Sequence, residues 1–311
     1  MKVLITGGAG FVGSHLADRL LAEDHDVLVI DNYRTGRRDN LQPHDRLRVV
    51  EGTIADADLV ARQFEAFQPT HVVHAAASYH DPGDWEEDVR TNVVGTINVL
   101  RATEDVGVER LIYYETALRY GLVPMEQPIT LTHPTVAGGS SYAISKTGGE
   151  QYIQMSRVDH IIFVLANAYG PRNISGPLPT FFQRLTAGKP CFVMDTRRDF
   201  IYIADLVDIT MRALAGMGQA GAYHVSSGSD HAIKELFDAT VAALDIELDG
   251  EVEVRDRSAD DVYTILLDPA KTERDFDWKI STPLAQGIKE AVAYYREHGI
   301  TETFTHLKLD E

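Results

Sequence analysis

The sequence predicts an α/β protein on a doubly wound parallel sheet, and three observations lead there. Short apolar runs alternate with helix-length amphipathic stretches through the first half of the chain, a pattern that right-handed β-α-β crossovers satisfy with helices on both faces. Residues 5–15, ITGGAGFVGSH, join an apolar run to a helical pattern through Gly7, Gly10 and Gly13. The next apolar run, 27–30, ends in Asp31, about twenty residues beyond the glycines. Such glycines permit a sharp turn, close approach of backbone to a pyrophosphate and tight helix–strand packing, the Rossmann arrangement, with the helix N-terminus facing an anion. A carboxylate at Asp31 accepts hydrogen bonds from ribose hydroxyls and repels a 2′-phosphate, so NAD is expected rather than NADP. Arg34, Arg37 and Arg38 would soften that preference if they faced the site; a solvated loop is their simpler reading.

In chain order, residues 1–5 read as a buried strand, and the helix that starts at Phe11 turns Phe11, Val12, Leu16, Leu20 and Leu21 inward. Strands follow at 47–50, 71–75, 110–114 and 161–165. Between them lie helices at 58–67, 86–106 and 142–157, the second with Val89, Val93, Ile97 and Leu100 along one stripe. After Leu165 the order changes: Pro171, Pro177, Pro179 and Pro190 punctuate the chain until an apolar run at 200–203. Short strands at 221–225 and 251–254 then mix with helices at 233–244 and 284–295. The expected division is an NAD-binding domain of residues 1–166, rejoined by 200–220, and a smaller mixed α/β substrate-binding lobe from 167–199 and 221–311.

A net charge of −18 over 311 residues disfavours nucleic acid or an anionic membrane as partner, because either needs a basic face. Cys191 is the only cysteine, which rules out an intramolecular disulfide and suits a reducing compartment. No apolar run approaches the roughly 18 residues of a membrane span, and glycines break the N-terminus early, unlike a signal peptide. The expectation is a soluble cytoplasmic protein. His71 and His74, three apart on a strand, point to opposite faces, so no shared metal is expected. His80 follows in a loop near the cleft, within reach of substrate or in solvent.

Tyr142 and Lys146, in Y-A-I-S-K, stand four apart on a predicted helix and share a face. An ammonium stabilises phenolate over phenol, which suits Tyr142 to general acid/base work. Thr116 falls just beyond the strand at 110–114, at the carboxyl edge where the cofactor is expected.

With these residues in view, the chain resembles the extended short-chain dehydrogenase/reductases, specifically the NAD-dependent epimerase/dehydratase family acting on nucleotide sugars. The matching motifs are T-G-G-A-G-F-V-G-S-H at 6–15, D-N at 31–32, H-A-A-A at 74–77 and N-V-V-G-T-I-N-V-L at 92–100. Thr116 with Tyr120 and Gly121, the Tyr142/Lys146 pair, N-A-Y-G-P-R at 167–172 and R-D-F-I-Y-I-A-D at 198–205 complete them. The resemblance implies NAD held by Gly7, Gly10, Phe11, Val12, Gly13, Asp31, Asn32, Ala75, Ala76, Asn92, Tyr142 and Lys146. It implies Tyr142 as acid/base, Thr116 on the reacting sugar hydroxyl, and Lys146 also on the nicotinamide ribose. Asn167 and Arg198 would meet the diphosphate, joined by Arg255 or Arg257, and His80 would lie near the substrate. It further implies a homodimer that pairs the helices 86–106 and 142–157 in a four-helix bundle.

Two positions depart from the family pattern. Relatives often read G-D-I where this chain has Gly52, Thr53 and Ile54, leaving Asp56 as the substitute near adenine. Glu115 precedes Thr116 where relatives often carry serine, and is expected to turn away from the site. Ala117 and Leu118 replace the acidic residues that dehydratases and decarboxylases keep after the Thr. The resemblance therefore implies a 4-epimerase, most simply UDP-linked, of a hexose, N-acetylhexosamine or uronic acid. The family gate for the 2-substituent falls near Ile265, and Arg172 or Arg197 would meet a uronate. The alternatives are an NAD(P)H-dependent 4-ketoreductase or 3,5-type epimerase/reductase, and a silent NAD-binding regulator. Such enzymes commonly supply bacterial surface polysaccharide, including O-antigen.

Overall fold

Seven parallel strands form the central sheet of the computed structural model, whose described residues are 1–257, 261–300 and 302–304. In chain order these are β1 (Lys2–Thr6), α1 (Phe11–Ala22), β2 (Asp26–Asp31), β3 (Leu47–Glu51), α2 (Ala57–Phe67) and β4 (His71–His74). A long helical segment follows, made of α3 (Trp85–Asp88), a π-helical stretch (Val89–Gly95) and α4 (Thr96–Val106). Then come β5 (Arg110–Thr116), α5 (Ser141–Met155), β6 (His160–Leu165), β7 (Asn167–Tyr169), α6 (Pro177–Thr186), β8 (Phe192–Met194), β9 (Arg197–Tyr202) and α7 (Ile203–Leu214). The chain continues through β10 (Gly221–Val225), β11 (Asp230–Ala232), α8 (Ile233–Leu244), β12 (Glu253–Arg255), α9 (Ala270–Phe276) and α10 (Leu284–His298).

The sheet runs β3-β2-β1-β4-β5-β6-β10. Its inner strands are covered on both faces, so they are nearly continuous runs of buried Val, Ile and Leu rather than alternating ones. The smaller lobe holds a three-stranded sheet, β11-β9-β7, a two-stranded one, β12-β8, and the packed helices α6, α8 and α10.

Two expectations change. The strand at 221–225 lies not in the smaller lobe but on the edge of the central sheet, pairing in parallel with β6 from Gly221 opposite Ile161 to Val225 opposite Leu165. Its companion α9 follows it there: Phe276 packs its ring on Phe163 and Tyr223, with centroids 5.7 and 4.9 Å away. The reason is that β6 would otherwise expose an unpaired, fully apolar edge. Helix α7 packs on α1 and β5, whereas the run at 200–203 belongs mostly to β9, which pairs with β7 and β11.

The second change is in the long helix. The π-helical stretch rotates the helix face, so Thr91, Asn92, Gly95, Thr96, Val99 and Thr103 turn inward while Val89 is 49% exposed. The stripe predicted from Val89 therefore does not face the core at its N-terminal end.

Candidate active site

A cavity of about 410 Å³ opens over the carboxyl ends of β1, β2, β4, β5 and β6, the position a doubly wound sheet reserves for ligands. The loop after β1 forms its floor. Gly7 has φ +69°, and a Cβ there would sit 2.7 Å from the backbone of Ala76. At Gly13, the Cβ of any other residue would meet the Gly7 carbonyl oxygen at 2.4 Å, so α1 can approach the turn only without a side chain there. The α1 N-terminus has no side-chain cap, which leaves its N–H groups for an anion.

Asp31, 6% exposed, sits at the end of β2. Its Oδ2 accepts from the Ala9 N–H at 2.8 Å and its Oδ1 from the Tyr33 N–H at 2.7 Å, which fixes its direction. Burial pushes its carboxyl up, against those backbone hydrogen bonds. Gly7, Gly10, Phe11, Val12, Gly13, Asp31, Asn32, Ala75, Ala76, His80, Thr116, Tyr142, Lys146 and Asn167 all line this one cavity. Arg34 lines it too, held by Asp84 at 3.1 Å, whereas Arg37 and Arg38 pair outside with Asp39 and Glu51.

Several expected positions move. Asn92 does not face the cavity. It is 1% exposed, accepts from the Ser78 N–H at 2.8 Å, and donates to the Ser78 carbonyl and Ser145 Oγ, each at 2.9 Å. The π-helical stretch turns it under the loop after β4, so it supports the wall. Asp56 caps α2 by accepting from the Leu59 N–H at 3.0 Å, and Thr53 takes the place beside the cavity. Arg257 is exposed and donates to the Asp261 carbonyl at 2.7 Å, lining neither cavity, because Arg198 already occupies the Asp261 carboxylate at 2.6 Å. Arg172 pairs with Asp18 and Arg197 with Asp230, and neither lines either cavity. Ile265 is buried and lines neither cavity.

Arg198 lines a second cavity, of about 240 Å³, that shares Asn167, Ser175, Gly176, Pro177 and Phe200 with the first. Helix α6 begins at this shared wall. Sequence reading missed α6, although Gly176 followed by Pro177 at the first helical position is its signal. It also missed β8, which with Cys191 and α6 closes the second cavity.

Thr116 is the last residue of β5 and its Oγ1 accepts from the Leu118 N–H at 3.2 Å. Tyr142 and Lys146 share a face of α5, whose N-terminus Ser140 caps on the Ala143 N–H. Lys146 is 3% exposed, with Nζ 3.8 Å from the centre of the Tyr113 ring. Burial pushes its amine down to about 8, opposed by Glu115 and Glu150. Tyr142 does not show the expected lowering: burial, then Glu115, raises its phenol above the ordinary value, since the neighbouring carboxylates act against phenolate. Glu115 does not turn out to solvent. It is 2% exposed and faces α5, where the Thr147 hydroxyl donates to its Oε1 at 3.3 Å. His74 is neutral, pushed down to about 3 by burial, and hydrogen-bonds Thr6 Oγ1 at 2.7 Å and Thr96 Oγ1 at 2.9 Å. Among the described residues no group of three or more His, Cys, Asp or Glu could hold a metal ion, and no helix is long and apolar enough to cross a membrane.

Residues 3–226 match the model of the NAD dependent epimerase/dehydratase family. The UDP-glucose 4-epimerase of Mycolicibacterium smegmatis is 32% identical over 317 residues, covering 95% of this chain and 99% of that one. Among solved structures, the Bordetella bronchiseptica enzyme WbmH in complex with NAD+ is 50% identical with a TM-score of 0.94, covering 96% and 99% of the two chains. WbmG of the same organism, in complex with NAD and UDP, is 45% identical with a TM-score of 0.92 and 99% coverage of both. The glycine turn, the oriented Asp31 and the cavity between them fit the dinucleotide those structures carry. The chain therefore belongs to the NAD dependent epimerase/dehydratase family, as an NAD-dependent enzyme of the epimerase kind.

Proposed function

We propose that this protein is a nucleotide-sugar 4-epimerase, most simply of a UDP-linked hexose, N-acetylhexosamine or uronic acid. One observation carries the reading: Thr116, Tyr142 and Lys146 meet in the NAD cavity, while the two positions after Thr116 hold the buried Ala117 and the core-packed Leu118. Neither transfers a proton. Elimination of water and the oxidative decarboxylation of a uronate both draw on acidic groups there in the family, although decarboxylases also stand among the relatives.

In this mechanism Tyr142 takes the proton of the sugar hydroxyl that Thr116 orients, and Lys146 holds its ammonium beside the phenol. Bound NAD supplies a reversible hydride acceptor. The 4-keto sugar then needs only to rotate before the hydride returns to its opposite face and Tyr142 gives back the proton. Arg198, in the second cavity, and the N-terminus of α6, on the wall that cavity shares with the first, suit the diphosphate, and the second cavity suits the nucleoside. His80, whose ring meets Phe304 edge-on at 5.5 Å, stands at the sugar end. A homodimer through the long helices is supported by their exposed apolar residues, among them Trp85 at 68%, Ile144 at 55% and Met155 at 75%. A cytoplasmic setting and a role in surface polysaccharide belong to the same proposal.

The test is an NMR time course with UDP-hexoses, UDP-N-acetylhexosamines and their uronic acids, without added cofactor. The C4 epimer is expected, and Tyr142→Phe abolishes it. Consumption of substrate only when NAD(P)H is supplied establishes the 4-ketoreductase instead, and overturns the argument from Asp31. NAD retention without turnover of any sugar establishes a silent regulator.

A further inference from the structure

Buried charges beneath the Tyr142/Lys146 pair are arranged as a cluster. Glu115 lies at the end of β5, one residue before Thr116, and reaches α5 between Lys146 and Glu150. All three are nearly sealed from solvent, at 2%, 3% and 1% exposure. Glu150 has a direct counter-charge: the Arg119 guanidinium meets it at 2.7 Å and donates onward to Thr135 at 2.8 Å, while Gln154 donates to Glu150 at 2.7 Å. Glu115 has no such partner. Its Oε1 takes the long bond from Thr147, and its buried Oε2 has no hydrogen-bond partner at all. Lys146 is in the converse position, with no hydrogen bond or ion pair to its Nζ among the described residues and only the Tyr113 ring face beneath it.

A carboxylate and an ammonium, each buried and each lacking a direct partner, stabilise one another in a medium of low dielectric even beyond contact distance. We propose that Glu115 is a positioning residue, the buried counter-charge that keeps the proton on Lys146 and thereby sets the pH window in which the Tyr142/Lys146 pair works. The other groups facing Lys146 contribute less, Glu150 coming after Glu115 among the carboxylates that hold its proton. His74 of β4 is neutral, the Tyr113 hydroxyl donates to the Lys146 carbonyl at 2.9 Å, and Glu150 is paired with Arg119. Tyr142 itself faces Glu115, Tyr79 and the buried Asp88, whose two oxygens lack hydrogen-bond partners.

The sign follows from the charges. Burial lowers the Lys146 amine and raises the Glu115 carboxyl, and each charge opposes that effect on the other. Removing the carboxylate lets the amine lose its proton at lower pH. The same change removes a negative charge from beside Tyr142, so the phenol also ionises at lower pH. Both limbs of the activity profile therefore move the same way.

The proposal rests on the catalytic reading of Tyr142 and Lys146, but its first readout does not. NAD-loaded protein labelled at lysine Cε is titrated by NMR, with Lys146 assigned by its loss in Lys146→Met. In Glu115→Gln the Lys146 midpoint is expected to fall by at least one pH unit, a tenfold loss of proton affinity, while Glu115→Asp keeps it near the wild-type value. Glu115→Ser serves if the glutamine variant does not fold. An unmoved or raised midpoint in the neutral variants overturns the proposal. With the epimerised sugar as substrate, the whole kcat/KM bell moves to lower pH; a bell that only shrinks in height assigns Glu115 to packing and likewise overturns it. A shifted Lys146 midpoint in a protein that epimerises no sugar refutes the functional reading while leaving the counter-charge in place.

Discussion

Two glycines with nearly the same φ separate strain from site geometry. Gly7 has φ +69° and Gly107 has φ +70°, but a Cβ on Gly107 meets nothing within 4 Å, whereas one on Gly7 lies 2.7 Å from both the Cα and the N of Ala76. Placing an L-residue in the left-handed region costs roughly 1–2 kcal/mol, and Gly107→Ala, at the open end of α4, is expected to lose only that. Gly7→Ala adds an overlap with backbone rather than with a movable side chain. Ala76 is also tethered, its N–H donating to Thr6 Oγ1 at 3.2 Å, so relief means opening the cavity wall. Overpacking of this kind adds about 1–3 kcal/mol, for a total of roughly 2–5 kcal/mol. Thermal melts with and without NAD, together with calorimetric NAD titration, read both effects. Gly107→Ala is expected to melt a few degrees low, on the order of 2–4 °C per kcal/mol, with wild-type NAD affinity. Gly7→Ala melts lower still and loses NAD affinity by at least about tenfold. Equal melting losses in the two variants, or NAD affinity retained by Gly7→Ala, refute the close-approach argument.

The supporting wall and the buried histidine give two more tests. Asn92→Ala strands the Ser78 N–H and carbonyl in the interior, at about 1–3 kcal/mol for a group left unpaired. It is expected to weaken NAD binding through displacement of the 75–80 loop, and unchanged melting and affinity together would show that Asn92 supports nothing. His74 is held neutral, its folded value near 3 lying below the ordinary 6.5, so the unfolded chain binds the extra proton between those values. Its stabilising effect is complete above about pH 6.5 and declines as pH falls toward 3, by at most about 1.4 kcal/mol per pH unit. Urea unfolding from pH 7 to pH 4.5 should show that slope reduced in His74→Gln, and an identical slope sinks the assignment.

The glycine turn, Asp31, Thr116 and the Tyr142/Lys146 pair were legible because each depends on local spacing: a turn, the end of a strand, one face of a helix. What escaped depends on distant chain. The sequence G-A-Y-H-V of β10 says nothing of β6, whose exposed edge decides where it pairs. One π-helical stretch turned the N-terminal part of the long helix, moving Asn92 from the cavity to the support beneath it and Val89 to the surface. Arg172 and Arg197 were misplaced because the carboxylates that hold them, Asp18 and Asp230, lie far off in sequence. Glu115 was expected to avoid the site because neither the α5 face that encloses it nor the prior claim of Arg119 on Glu150 is visible in one dimension.

The place of β10 also bears on how the molecule is made. The chain leaves the central sheet at β6, builds β7, α6, β8 and β9 of the smaller lobe, and only then returns through α7 to lay down the last strand. During synthesis the edge of β6 stays bare until much of the other lobe has emerged, and a fragment that stops at residue 166 keeps it bare permanently. A truncation meant to isolate the dinucleotide-binding half therefore exposes a long apolar strand edge and is expected to aggregate. The central sheet is complete only once the chain has run through residue 225.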